Sequence, residues 1–287
     1  MKKILLFLCL VATATIASAT DLWEGTHEVT WSNTLTIEAA NFADAQVGQK
    51  IVIEFMNATG EAIELHSNGA MLPGTRFGHN IYADQNAVEV FITTGMLARL
   101  KESGLEICGN GFTATKAWYG DGKEGVDDNT VWTGYFWMDS WSTLEVAKTS
   151  FDGINWSDYK AIRFYSEAGR TDYVINILTK WADDGKLGDQ TTMTMTNEYA
   201  ELNIEDIDMA AKLADVDRLM VQCNKEGGSP FNFTSIELVK KESTGINALD
   251  SRPSTLDQAQ PMYNLAGQRV GNAYKGLVIV NGKKVIR

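Results

Sequence analysis

Few covalent or rigid devices hold this chain together: it has three cysteines, four prolines and three histidines in 287 residues. Cys9 lies in an apolar leader run, which leaves Cys108 and Cys223 to the folded body. Each falls in what reads as the same late strand of its own half. A bridge between them is geometrically awkward, so both are read as buried, unpaired thiols, and the fold rests on its cores. His27, His66 and His79 lack the His-x-x-x-His spacing of a helical metal site and are read as surface or strand packing. Neither Cys-x-x-Cys nor Gly-x-Ser-x-Gly occurs, which removes two common catalytic arrangements. Gly120-Asp-Gly122-Lys-Glu-Gly125 matches the dinucleotide fingerprint in letters only, because no helix follows it and acidic flanks repel phosphate. The acid pairs Asp127/Asp128, Asp183/Asp184 and Asp206/Asp208 sit close together in loops. A glycosidase instead needs two carboxylates from separate elements, ~5 to ~9.5 Å apart across a cleft.

Long apolar runs are missing too. The run Ile4 to Ala12 is too short for a spanning helix, which needs about 20 residues. With Lys2 and Lys3 before it and Ala17-Ser18-Ala19 after it, it reads as an export signal over residues 1–19. Bulky Leu8 and Leu10 around Cys9 argue against lipidation. Positive charge is scarce: the formal net charge is −12, and basic side chains outnumber acidic ones in the final segment 245–287. The body before that segment is therefore more acidic than the whole. It repels nucleic acid and anionic membrane surfaces, and remains compatible with neutral glycans.

What the chain does have is internal repetition. Trp23/Trp132, Gly25/Gly134, Leu35/Leu144, Ile37/Val146, Phe42/Phe151, Ile53/Ile162 and Phe55/Phe164 recur at one constant spacing, with a one-residue slip at Trp31/Trp141. Short alternating runs such as Lys50-Ile51-Val-Ile53-Glu-Phe55 and Ala161-Ile162-Arg-Phe164 are half-buried strands separated by Asn, Gly and Ser turns. Thr93 to Lys101 has helical spacing, a Thr cap and Gly104 beyond it. The expected fold is all-β: two tandem antiparallel β-sandwich, jelly-roll-like modules at 20–120 and 131–241. A linker at 121–130 joins them, and a second at 242–261 leads to a β-hairpin tail at 262–287.

The tail carries Tyr263-x-Leu265-x-Gly267-x-Arg269-Val270, then Lys275-Gly276, then Asn281-Gly-Lys-Lys284. It resembles the C-terminal segment of many secreted Bacteroidetes proteins, although it is shorter than their full sorting domains. The resemblance implies export and surface or extracellular placement. Trp23-Glu-Gly25, Trp31-Ser32, Leu72-Pro-Gly-Thr75, the Leu97/Leu100 turn and Gly104-Leu105-Glu-Ile107 leading to Phe112-Thr113 also resemble a module of gut Bacteroidetes surface proteins. That module is found beside glycoside hydrolases. The match is good over residues 22–119 and loose over 131–240, where the Leu-Pro-Gly-Thr loop is absent. The resemblance implies carbohydrate-binding-like jelly rolls.

Sugar rings pack their C–H faces on flat aromatic side chains, so exposed Trp and Tyr are the expected binding equipment. Trp23/Trp132 and Trp31/Trp141 recur together with core positions and are read as packing. Aromatics private to one half are the ligand candidates: Trp118 and Tyr119 at a strand end, Trp137 where the first half has Glu28, and Trp156 and Trp181 in loops. Trp181 ranks first, because Asp183, Asp184 and Lys186 follow it. Asp183, Asp184 and Asp189 could also hold a structural calcium, and no other cofactor is expected. The reading is a secreted or cell-surface, non-catalytic glycan-binding monomer, with no nucleic-acid partner and no membrane insertion. The rivals are an adhesin-like structural protein that binds protein partners and, less favoured, a glycoside hydrolase.

Overall fold

The computed structural model describes residues 19–167, 174–187, 192–194, 199–223, 231–241, 262–264, 269–270, 277–280 and 283–286. The segment 1–19 expected as an export signal lies outside them, apart from residue 19. The chain divides into two compact units, Met1–Lys241 and Glu242–Arg287.

The first unit begins with β1 (Thr20–Val29), β2 (Leu35–Ile37), β3 (Lys50–Met56), β4 (Ala62–Ser67), β5 (Ala70–Met71), β6 (His79–Asn80) and β7 (Ala87–Phe91). The helix α1 (Thr94–Ser103) follows, then β8 (Leu105–Gly109) and β9 (Phe112–Gly120). The chain continues with β10 (Thr130–Met138), β11 (Thr143–Ala147), β12 (Tyr159–Ser166), β13 (Val174–Leu178), β14 (Thr192–Thr194) and β15 (Tyr199–Asn203). It closes with α2 (Met209–Ala214), β16 (Arg218–Cys223) and β17 (Phe231–Lys240).

The fold is an all-β sandwich arrangement of antiparallel sheets. In the first half the sheets run β1-β9-β3-β7 and β2-β8-β4-β5, with β6 also paired to β4; in the second they run β10-β17-β12-β15 and β11-β16-β13-β14. Strand for strand, the two orders correspond. Period-2 patterning turns one face of each sheet inward. Ile51, Ile53, Leu65, Leu105 and Ile107 fill the first core, and Ile162, Phe164, Ile175, Val221 and Phe233 the second. The helix read at Thr93 is α1: Met96 N–H donates to Thr93 Oγ1 at 3.3 Å, and Gly104 ends it at φ +77, a positive φ that glycine adopts readily. The short α2, capped by Asp208, is a second helix beyond the one expected.

Trp132 is buried and packs against Phe233, while Trp23 is half-buried against its own core. The Gly two residues after each has a steric reason. A Cβ at Gly25 would lie 2.9 Å from the Trp23 ring, and one at Gly134 would lie 3.1 Å from that of Trp132. The other recurrent pair corrects the packing expectation. β1 ends at Val29, so Trp31 falls in the turn closed by the Thr30 and Asn33 bridge, and Trp141 falls in the turn between β10 and β11. They are 55% and 52% exposed.

The two sandwiches are clamped together. Residues 74–77 run antiparallel along β11, the edge of its sheet. Phe77 N–H donates to Glu145 O at 2.9 Å and Ala147 N–H to Thr75 O at 3.1 Å. Gly74 N–H donates to Ser150 Oγ at 2.8 Å, and Thr149 Oγ1 to Met71 O at 2.7 Å. The Leu-Pro-Gly-Thr loop thus covers an exposed edge by strand addition. A loop with that task is needed once, which accounts for its absence from the second half. The segment 121–130, expected as a linker, is pinned as well. Lys123 N–H donates to Gly48 O at 2.7 Å, and Thr94 Oγ1 to Asp128 Oδ1 at 3.0 Å. A Cβ at Gly122 would collide with the Gly48 carbonyl, so the fingerprint-like glycine run serves backbone packing.

The second unit, taken by itself, is one antiparallel sheet of β18 (Met262–Asn264), β19 (Arg269–Val270), β20 (Leu277–Val280) and β21 (Lys283–Ile286), ordered β19-β18-β20-β21. Among the described residues no helix is long and apolar enough to cross a membrane.

Candidate functional site

The outer face of the sheet β10-β17-β12-β15 gathers exposed rings and hydrogen-bonding side chains. Alternation along β10 turns Phe136 and Met138 to the core side, and Tyr135 and Trp137 to the outside. These two are 68% and 60% exposed. Trp137 pairs directly with Asn232 of β17, which places both side chains on one face. The Asn232 amide donates to Glu167 Oε1 at 2.6 Å. Tyr135 is steadied by an edge contact with Phe91, ring centroids 6.2 Å apart, and by Lys123 Nζ at 6.0 Å from its ring. A β-bulge between Thr133 and Phe136 breaks the register there.

Across the same sheet, Arg163 pairs in register with both Glu201 and Glu237. Its Nε donates to Glu201 at 2.7 Å, and its guanidinium lies 4.6 Å from the Tyr199 ring centre. Tyr165 packs on Tyr199, ring centroids 5.4 Å apart. Burial, then Glu237, raises the Tyr165 phenol above its ordinary pKa, so its hydroxyl stays protonated as a donor.

Between the sandwiches lies a polar cleft of ≈ 460 Å³, lined by Glu64, Arg76, Phe77, Phe136, Glu145 and Arg218 among others. Arg218 is held by Glu145 and by Asp217 at 2.8 Å, and lies 4.0 Å from the Phe77 ring centre. Arg76 lies 5.1 Å from the Phe136 ring centre. Burial lowers the Arg76 guanidinium to about 10, which still leaves it charged at neutral pH. Burial, reinforced by Arg76, lowers His79 to about 3, so His79 is neutral. Glu64 Oε2 accepts from His66 Nε2 at 3.0 Å.

The sequence candidates do not converge on one place. Trp137 is on the face just described. Trp118 is half-buried on the outer face of the first sandwich: its Nε1 donates to Glu54 at 2.8 Å and Lys50 Nζ lies 5.8 Å over its ring. Tyr119, 3% exposed, stacks on Phe42 inside the core and offers no ring to a ligand. Period 2 forces that: neighbours on β9 point to opposite faces. Trp156 is half-buried and stacks on Phe151 at 6.0 Å. Trp181 is exposed in the loop after β13, which also holds Asp183, Asp184 and the half-buried Lys186. The Asp184 carboxylate is taken by Lys180 at 2.6 Å, which lowers its pKa. Asp189, the third member of the calcium expectation, lies outside the described residues. Tyr135, Asn232 and Glu167 were missed. The signal for Tyr135 was available, since its counterpart in the first half is Thr26.

No protein-family model matches the chain, and no curated protein does. Among solved structures, a Bacteroides ovatus surface glycan-binding protein, SGBP-B of the mixed-linkage glucan utilization locus, in complex with a mixed-linkage heptasaccharide, aligns at 18% identity. The alignment covers 35% of this chain and 28% of that one, with a TM-score of 0.29. The major capsid protein P2 of bacteriophage PM2 aligns at 14% identity over 80% of this chain and 99% of that one, with a TM-score of 0.25. At these TM-scores neither likeness transfers a ligand or a role.

Proposed function

We propose that this chain is a secreted, non-catalytic glycan-binding protein, built by duplication of one sandwich and acting as a monomer, which binds a neutral polysaccharide through the second sandwich. The observation that supports this most is the pair Tyr135 and Trp137, two residues apart on one exposed face, with the Asn232 and Glu167 pair opposite Trp137. Two exposed rings on one face suit sugar faces, and the amide and carboxylate suit hydroxyls. The matching sheet orders and the recurrent Trp-x-Gly elements favour the duplication. Clamping the sandwiches removes their relative motion, so any gain from two sites would need both to lie along one chain. The cleft carboxylates favour a non-catalytic role. Arg218 engages Glu145 and His66 engages Glu64, which leaves neither poised to protonate a leaving group.

The test is affinity electrophoresis of the full chain in gels containing neutral soluble polysaccharides. Retardation by one glycan is expected, and Trp137→Ala should weaken it about tenfold or more, as for loss of a central aromatic anchor. Absence of retardation, or retardation unchanged by Trp137→Ala, overturns the assignment.

A further inference from the structure

We propose that Glu64, His66, Glu106 and Cys108 form a binding site for a divalent transition-metal ion, with zinc the best match. The site follows from register. β4 and β8 are antiparallel neighbours in which Glu64 faces Cys108 and His66 faces Glu106. Directly paired residues share a face, and alternate residues on each strand share it too, so the four side chains stand together. Their strand neighbours Ile63, Leu65, Leu105 and Ile107 fill the core on the other side.

The donor atoms are close. A His66 ring nitrogen, a Glu106 carboxylate oxygen and Cys108 Sγ lie within 4.8 Å of one another, and Glu64 Oε2 is 3.0 Å from His66 Nε2. Tetrahedral zinc with bonds of ~2.0 to ~2.3 Å places its ligand atoms about 3.3–3.8 Å apart, so side-chain rotation of roughly 1 Å closes the His66, Glu106 and Cys108 set, and Glu64, on the same face beside His66, supplies the fourth position. Nitrogen, thiolate sulfur and carboxylate oxygen together suit zinc better than the oxygen-only shells of calcium or magnesium. The backbone N–H of Gly69 donates to Glu106 Oε2 at 3.2 Å, an outer contact of the kind that orients a ligand carboxylate. Binding releases the Cys108 thiol proton to solvent and leaves the thiolate on the metal.

The second sandwich shows that the arrangement is not a requirement of the fold. At the corresponding pairs it has Asn176 facing Gln222 and Leu178 facing Met220. Cys223 lies one position further along β16, faces Ile175 and belongs to the core. Cys108 is buried without joining the core cluster of its own sandwich.

The full chain, reduced and stripped with chelator, is titrated with Zn²⁺ alone by calorimetry and with Co²⁺ alone by absorption. One ion per chain and a thiolate-to-cobalt charge-transfer band are expected. Cys108→Ser should abolish the band and His66→Gln should weaken zinc binding about ten- to a hundredfold or more, while Cys223→Ala retains both signals. Because His66 and Glu106 are only half-buried, His66→Gln and Glu106→Gln serve if Cys108→Ser fails to fold. No band in the wild type, or a band surviving Cys108→Ser, overturns the site. Glycan retardation should be unchanged by His66→Gln, which separates this outcome from the binding assignment.

Discussion

The two sandwiches share a skeleton and differ in what they display. Both have the same sheet order, the same Trp-x-Gly packing and an outward tryptophan in the first turn. The first sandwich covers its β1-β9-β3-β7 outer face with ion pairs, Lys50 to Glu89 at 2.7 Å and Lys116 to Asp21 at 2.7 Å, with Trp118 tucked beneath Lys50. The second keeps one such pair on the equivalent sheet, Arg163 to Glu201 at 2.7 Å, and adds the exposed rings of Tyr135 and Trp137. On the other sheet the contrast reverses: the first sandwich has the Glu64, His66, Glu106 and Cys108 cluster, where the second has two amides and two apolar side chains. Shared positions hold the fold, and the differences fall on outer faces, where a side chain can change without altering a core. Exposed ion pairs are worth only ~0–1 kcal/mol, so the charged face contributes little stability.

The largest test of that comparison lies in the shared skeleton. Trp132→Ala removes a fully packed ring and should destabilise the protein by about 3–5 kcal/mol, whereas Trp23→Ala, at a half-buried ring, should cost clearly less. Denaturant unfolding of both variants measures it. Equal losses would mean that the two cores are more alike than the burial of these rings indicates.

A smaller effect separates the halves by pH. All three histidines precede residue 80, and the second sandwich has none. His79 is held neutral, with its pKa lowered from 6.5 to about 3. Its contribution is therefore complete above the unfolded pKa near 6.5 and is lost as pH falls toward 3, because the unfolded chain binds the proton first. The slope approaches about 1.4 kcal/mol per pH unit within that window. His79→Gln should flatten the fall in unfolding free energy between pH 6 and about 4. A slope unchanged by the substitution would place the acid sensitivity elsewhere.

Much of this fold is legible in the sequence, because period-2 runs, turn residues and one capped helix are local signals. The strands around Ile53, Phe55, Ile162 and Phe164 follow from alternation alone. What the sequence hides is register and docking. Recurrence alone made Trp31 and Trp141 look like core, yet β1 stops at Val29 and the turn throws Trp31 outward. His66 looked like strand packing because its neighbours Glu106 and Cys108 come from a strand some forty residues away, with no fixed spacing to reveal them. The glycine-rich junction reads as a tether until Gly122 is seen against the Gly48 carbonyl. For the candidate binding face, comparison of the halves pointed to Trp137. It equally had Tyr135 within reach, while Asn232 and Glu167 became visible only once β10, β12 and β17 were aligned.

The smallest expected effect is on Trp181. Its ring is exposed, and in its loop Lys180 pairs with Asp184, whose carbonyl accepts from Lys212 of α2. Trp181→Ala should change unfolding free energy by no more than about 0.5 kcal/mol, as for a surface position without a structural task. Its effect on glycan retardation decides between two surfaces. Trp181 follows β13, in the sheet opposite the one bearing Tyr135 and Trp137. One sugar chain lying flat on the β10 face therefore does not need it. Retardation lost in Trp137→Ala and kept in Trp181→Ala places the ligand on the β10 face, whereas the reverse pattern moves the site to the loop after β13 and makes Tyr135 and Trp137 bystanders.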